Sequence, residues 1–146
     1  MKLRIFIYRP CDSIREPLIQ HIESRGHEAA AINFPQTCLQ YHSPNNNCST
    51  TKTCADVVIV GNDISPQEGL SMIEKRVKAS CGGVKHNAII CISLSVTDRK
   101  RMKKIGCKNF KLPLDLANVD EWLAEVEKSV YQQRELSPFT IGGTAA

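Results

Sequence analysis

No stretch of this 146-residue chain holds the ~18 consecutive apolar residues that a membrane-spanning helix needs. The expectation is a protein without membrane spans. Catalytic signatures are missing too. There is no G-x-x-x-x-G-K-[ST] phosphate loop, no G-x-S-x-G nucleophile elbow and no H-E-x-x-H metal pair. Gly82-Gly83 precedes an apolar run instead of joining a strand to a helix, so it does not read as a phosphate cradle. The histidines, His21, His27, His42 and His86, are scattered, as surface or packing residues are. No D-x-H-x-x-G occurs, which argues against cobalamin, and Cys11-Asp12-Ser13 is a poor version of a flavin phosphate loop. The N-terminal MKLRIFIYRP is interrupted by Arg4 and Arg9 and has no small-residue cleavage site, so the expected location is cytoplasmic. No internal repeat is present. These absences point to a non-enzyme without cofactor or bound metal.

What is there reads as one globular domain. Apolar residues make up 42% and charged residues 23%, and the net charge of +4 is a mild basic excess. The length suffices for a core without disulfide staples. Cys11, Cys38, Cys48, Cys54, Cys81, Cys91 and Cys107 are odd in number and irregular in spacing, which fits reduced thiols.

Leu3 to Tyr8 is a β-rich apolar run. Ser13 and Glu16 then fit a capping box, with Pro17 in the first turn and Ile14, Leu18 and Ile22 on one apolar face. Gly26 is placed to stop that helix. A second strand is expected over His27–Phe34. Ala55–Val60 is continuously apolar after Asp56, as a strand buried on both faces would be. Ser65-Pro66 opens a helix with Leu70, Ile73 and Val77 inward, and Cys81-Gly82-Gly83 closes it. Asn87–Leu94 is a further buried strand, Thr97–Ile105 a short helix ended by Gly106, and Asn109–Leu112 a fifth strand. The last helix, Asp115–Gln133, carries a stripe of Leu116, Val119, Leu123, Val126 and Val130, with Trp122 at its margin.

Two segments break the pattern. Pro35–Cys54 holds two prolines, three consecutive asparagines and many Ser and Thr, and reads as a long loop in place of most of a helix. Its Cys38, His42, Cys48 and Cys54 are spaced more widely than the C-x2–4-C pairs of structural zinc sites, so incidental thiols are the preferred reading. Residues 137–146 read as a disordered tail or linker after a domain spanning 1–136.

Strand–helix alternation around two continuously apolar strands predicts an α/β fold: a doubly wound, five-stranded parallel sheet of flavodoxin-like order 2-1-3-4-5. Ligands of such sheets sit beyond the carboxyl ends of the strands. Here those ends are Tyr8-Arg9-Pro10, Val60–Asp63, Ser93-Leu94 and Lys111–Pro113.

Over roughly residues 3–132 this arrangement resembles the receiver (CheY-like) domains of two-component response regulators. The family pattern is an acidic pair after strand one, a phosphoacceptor Asp ending strand three, a Thr or Ser ending strand four, and Lys-Pro after strand five. Asp56 opens a DVVIVG run similar to the family's DLVLLD, and Gly69 follows Gly61 by eight positions, which puts Gly61 in the acceptor's seat. Ser93 matches the Thr/Ser position. Leu112 stands before Pro113, with Lys111 one residue off. Tyr8, Arg9 and Pro10 supply no acid. Phosphoryl transfer to Asp needs a carboxylate nucleophile and a Mg²⁺ held by hard oxygens. Gly61 offers no nucleophile, and Arg9 puts a positive charge where the metal would sit. The resemblance therefore implies a degenerate pocket of Arg9, Gly61, Asp63, Ser93 and Lys111, a pseudo-receiver without phosphorylation chemistry.

Two alternatives stay open. Asp63 with Asp12 would make a displaced acidic site. Against it stands the reading that Asp63 pairs with Arg9 while Asp12 helps Ser13 cap the helix. The second is a basic module for nucleic acid or nucleotide. Arg99, Lys100, Arg101, Lys103, Lys104, Lys108 and Lys111 lie within one 13-residue run that contains no acid. A solvated helix face is the plainer account. The resembled family docks proteins through its fourth helix, fifth strand and fifth helix, so a protein partner is preferred: a separate protein, a fused output or kinase domain, or a second copy of the chain.

Overall fold

Val57, Val58, Ile59 and Val60 are all fully buried. Such a strand must be covered on both faces, and the computed structural model, which describes residues 2–32, 55–78 and 86–136, places it in the middle of a sheet. The strands are β1 (Arg4–Tyr8), β2 (Glu28–Ile32), β3 (Val57–Val60), β4 (His86–Cys91) and β5 (Lys108–Lys111), and all neighbours pair in parallel in the order β2-β1-β3-β4-β5. The helices among the described residues are α1 (Asp12–Ser24), α2 (Pro66–Lys78), α3 (Val96–Ile105) and α4 (Leu116–Leu136). The flavodoxin-like order expected from the sequence is the observed one. None of these helices is long and apolar enough to cross a membrane.

The pleat sorts β3 onto two cores. Val57 and Ile59 pack with Leu18 and Ile22 of α1 and with Val119, Leu123 and Val126 of α4. Val58 and Val60 pack with Leu70 and Ile73 of α2 and Met102 of α3. Removing any one of these buried aliphatic chains costs about 2–5 kcal/mol. Asp56 fastens the start of β3 to β1, since its carboxylate accepts from Arg4 N–H at 2.9 Å and its own N–H donates to the Arg4 carbonyl at 2.8 Å.

Several local expectations hold. Ser65 Oγ accepts from Glu68 N–H and its hydroxyl donates to Glu68 Oε1, both at 3.2 Å, so Ser65 caps the head of α2 by its side chain. Gly106 ends α3 in the left-handed region at φ 68°.

Others are corrected. α1 begins at Asp12 with Cys11 at the cap position and no side-chain cap bond, so Ser13 does not cap it. Pro17 consequently falls in the second turn. Its missing N–H leaves the Ser13 carbonyl without the usual helical donor, at a place where both residues are exposed. β4 stops at Cys91 instead of running to Leu94. Its partner β5 ends at Lys111, Leu112 N–H makes the final bond to the Cys91 carbonyl at 3.1 Å, and Pro113 has no N–H to extend the ladder. The loop expected over 35–54, with its Cys38, His42, Cys48 and Cys54, lies outside the described residues, as do the Gly82-Gly83 helix stop, the Val77 side chain and the tail.

Candidate functional site

The carboxyl ends of β1 and β3 lie side by side, because Tyr8 pairs with Val60. One residue further on, Gly61 is buried and its N–H donates to the Tyr8 carbonyl at 2.7 Å. A Cβ at position 61 would collide with Pro10 Cα and stand 2.6 Å from both the Arg9 carbonyl oxygen and Pro10 N. These are backbone atoms and cannot swing aside. Glycine is required here for space. The space that a side chain at position 61 would need is filled by the Arg9–Pro10 main chain.

That main chain is held from several directions. Arg9 adopts φ 52°, a left-handed conformation rare for a residue with a side chain. Its N–H donates to the Ile32 carbonyl at 2.9 Å, and its carbonyl accepts from Asp63 N–H at 3.1 Å. Pro10 is buried. Cys11 N–H then donates to Asn62 Oδ1 at 3.1 Å, tying the turn before α1 to the turn after β3. Asn62 was not among the residues expected at the site. Its signal was the ordinary one of an Asn directly after a strand, where its short side chain bonds backbone.

The acids near this edge do not converge. Asp63 is exposed, and its carboxylate lies 3.8 Å from Arg9 Nη2, beyond hydrogen-bond length. Asp12 is 92% exposed and bonds Arg15 at 2.6 Å. Among the described residues no group of three or more His, Cys, Asp or Glu could hold a metal ion. The Mg²⁺ implied by the family pattern does not fit these residues: the positions after β1 offer a guanidinium in place of hard oxygens. Ser93 is exposed in the turn two residues past β4, and Lys111 is the exposed last residue of β5. Gly61, Arg9 and Asp63 are thus brought together by backbone bonds.

Beside this closed space, on the α2 side, a cleft of about 420 Å³ opens between Tyr8, Arg9 and Ile64 and the α2 residues Gln67, Glu68, Ser71, Met72 and Lys75. On the other side of Arg9–Pro10, the Cys11 thiol bonds Ser13 Oγ at 3.1 Å. That hydroxyl, with help from Asn62, lowers its pKa below the usual thiol value. Burial acts the other way on Cys91, raising it, and pushes Cys107 up to about 12.

The basic run is presented by α3 and β5. Arg99, Lys100, Lys103, Lys104, Lys108 and Lys111 are exposed, and none has an ion pair among the described residues. Arg101 does not belong with them. Its Nη2 and Nε bond the two oxygens of Glu74 at 2.7 and 3.0 Å, Nη2 reaches Ser71 Oγ at 3.3 Å, and Nη1 reaches Asp98 at 3.4 Å. The guanidinium holds the Glu74 carboxyl below the usual carboxylate range, and Glu74 in turn raises Arg101. Arg101 is spent on joining α2 to α3 and is withdrawn from the surface expected to meet a partner.

No protein-family model matches the chain, and no curated protein matches it either. Solved structures do. The chain is similar to chemotaxis protein CheY4 of Vibrio cholerae, with TM-score 0.62 and 14% identity over 86% of this chain and 99% of that one. A CheY-like response regulator receiver domain protein of Methanospirillum hungatei JF-1 gives TM-score 0.62 and 17% identity over 88% and 99%. A protein described as pilus assembly-related from Burkholderia pseudomallei K96243 gives 0.62 and 13% over 85% and 88%. These likenesses establish the CheY-like receiver fold.

Proposed function

We propose that this chain is an atypical receiver-fold signalling domain, spanning residues 1–136, that takes no phosphoryl group by the usual route. It acts by contact with another protein or by regulating an attached output domain. The observation that carries the reading is the collision at Gly61: no carboxylate nucleophile can stand where the Arg9–Pro10 backbone lies. The scattered acids support it, because a phosphoryl acceptor without a metal at its oxygens lacks the charge neutralisation the reaction needs. The exposed cations Arg99, Lys100, Lys103, Lys104, Lys108 and Lys111, without an ion pair among the described residues, are the surface we assign to partner contact, with an acidic protein face as complement.

Intact-mass measurement after incubation with acetyl phosphate and Mg²⁺ tests the reading. The expected spectrum shows the unmodified mass alone. A phosphoryl adduct that disappears in Asp63→Asn would overturn it in favour of a displaced acceptor.

A further inference from the structure

We propose that the cleft beside Arg9 binds a small ligand that joins a flat aromatic ring to a phosphate or carboxylate. The proposal goes beyond the signalling reading and does not depend on it. In open α/β sheets, ligands bind outside the carboxyl ends of the strands where the chain turns to opposite sides. In the order β2-β1-β3-β4-β5 that place is between β1 and β3. The middle of the crevice is closed by Arg9–Pro10 on Gly61, and the space left open is the cleft on the α2 side.

Its volume of about 420 Å³ lies within the ~300–1,000 Å³ usual for small-molecule sites. The floor is apolar, made by Tyr8, Ile64 and Met72, which pack into the α2-side core. A half-buried tyrosine ring beside a thioether and an aliphatic chain suits a flat ring better than a flexible polar chain. Arg9 and Lys75 are the cations of the cleft lining and Glu68 its one carboxylate, with Asp63 standing 3.8 Å from Arg9 outside that lining. Among the lining side chains the charge is net positive, which favours an anion. Gln67 and Ser71 supply an amide and a hydroxyl.

Arg9 is the group built for this task. Its backbone is pinned at φ 52° by bonds at both its N–H and its carbonyl, so the guanidinium projects from a preset turn. A residue held in that sparsely populated region is a pointer to function. Its ion contact is with an exposed Asp63 at 3.8 Å, and an exposed pair of that length is worth little. Turning from Asp63 to a ligand phosphate therefore loses almost nothing and gains a bidentate, charge-assisted bond.

The test is an NMR titration of the ¹⁵N-labelled full chain with phenyl phosphate, AMP, adenosine and inorganic phosphate. Phenyl phosphate and AMP are expected to give saturable shifts at the amides of Tyr8, Gln67 and Ser71. They should bind roughly tenfold tighter than adenosine or phosphate alone, one charge-assisted bond's worth. Arg9→Asn suits a left-handed backbone and removes the charge. It should weaken AMP roughly tenfold with an unchanged urea midpoint, Arg9→Lys should retain most of the affinity, and Lys108→Gln all of it. Lys75→Gln, on helix α2, gives the same loss should Arg9→Asn fold poorly. The proposal is overturned if shifts gather on α3 and β5, if no saturable shift occurs at millimolar ligand, if phosphate alone matches phenyl phosphate, or if both Arg9→Asn and Lys75→Gln bind like wild type. A phosphoryl adduct on Asp63 would sink the signalling reading and leave this one standing.

Discussion

At the β1–β3 crevice, backbone meets backbone: a side chain at position 61 would begin 2.6 Å from the Arg9 carbonyl. Along α3 and β5 the opposite holds, for six cationic side chains reach into solvent with no carboxylate paired to them among the described residues. Both regions stand on one sheet, in the places where receiver-fold proteins are expected to take phosphate and partners. In the first, fold and site share main-chain atoms, so a side chain added at Gly61 is a change of structure. In the second the scaffold is indifferent to which side chains it carries. Arg101 marks the border between them, a member of the basic run by sequence and of the scaffold by its bonds to Glu74.

The largest expected effect comes from filling the crevice. Gly61→Ala should destabilise the protein by about 3 kcal/mol, the upper end of overpacking costs, because the obstructing atoms are main chain. Gly61→Asp should do at least as much and should not restore a phosphoryl acceptor. Urea unfolding of both variants checks this. A Gly61→Asp protein as stable as wild type would show the crevice to be open and dissolve the contrast between the two regions.

The Arg101–Glu74 pair should have an intermediate effect. Glu74→Gln leaves the guanidinium with half its anchor, and the partly exposed pair is worth about 1 kcal/mol after solvent screening. The sign of its pH dependence follows from the lowered Glu74 carboxyl. A carboxyl whose pKa is lower folded than unfolded contributes stability above its unfolded value, near ~4.3, and loses it as pH falls through the folded value. The stability gap between wild type and Glu74→Gln should therefore be full at pH 7 and close under acid. A gap that widened as pH fell would place the guanidinium elsewhere.

These two cases show how far the sequence carries. The continuous VVIV run and the stripe of α4 announced which residues are buried, because periodicity is a local property. Gly69, counted back eight, led to the expectation that Gly61 stands at the acceptor position. What packs against Gly61 was not legible. It depends on Arg9 taking φ 52° and on contact between residues about fifty positions apart, and neither leaves a local pattern. The Arg101–Glu74 bond, spanning 27 positions, was hidden for the same reason, so a run of seven cations looked uniform. The Ser13 cap failed more narrowly: Ser13-x-x-Glu16 satisfies the capping-box spacing, yet the helix had already begun at Asp12.

The smallest effect expected is on the basic face, and its smallness is the point. A triple charge reversal, Lys100→Glu, Lys103→Glu and Lys108→Glu, alters exposed residues with no ion pair among the described residues, and surface changes of this kind stay within about ±0.5 kcal/mol each. Lys108 lies 5.9 Å from the Phe110 ring centre, a cation–π contact worth about 0.5–1 kcal/mol at such an exposed position, so it should account for most of whatever loss is seen. Net charge would fall by six, from +4 to −2. Thermal unfolding should hardly move, while retention on a cation exchanger and binding to an acidic protein partner should both collapse. A face that can be inverted at so little cost to folding is free to serve the partner contact proposed for it. If the triple variant unfolded as readily as Gly61→Asp, these lysines would be holding the fold, and the assignment of the face to a partner would go with them.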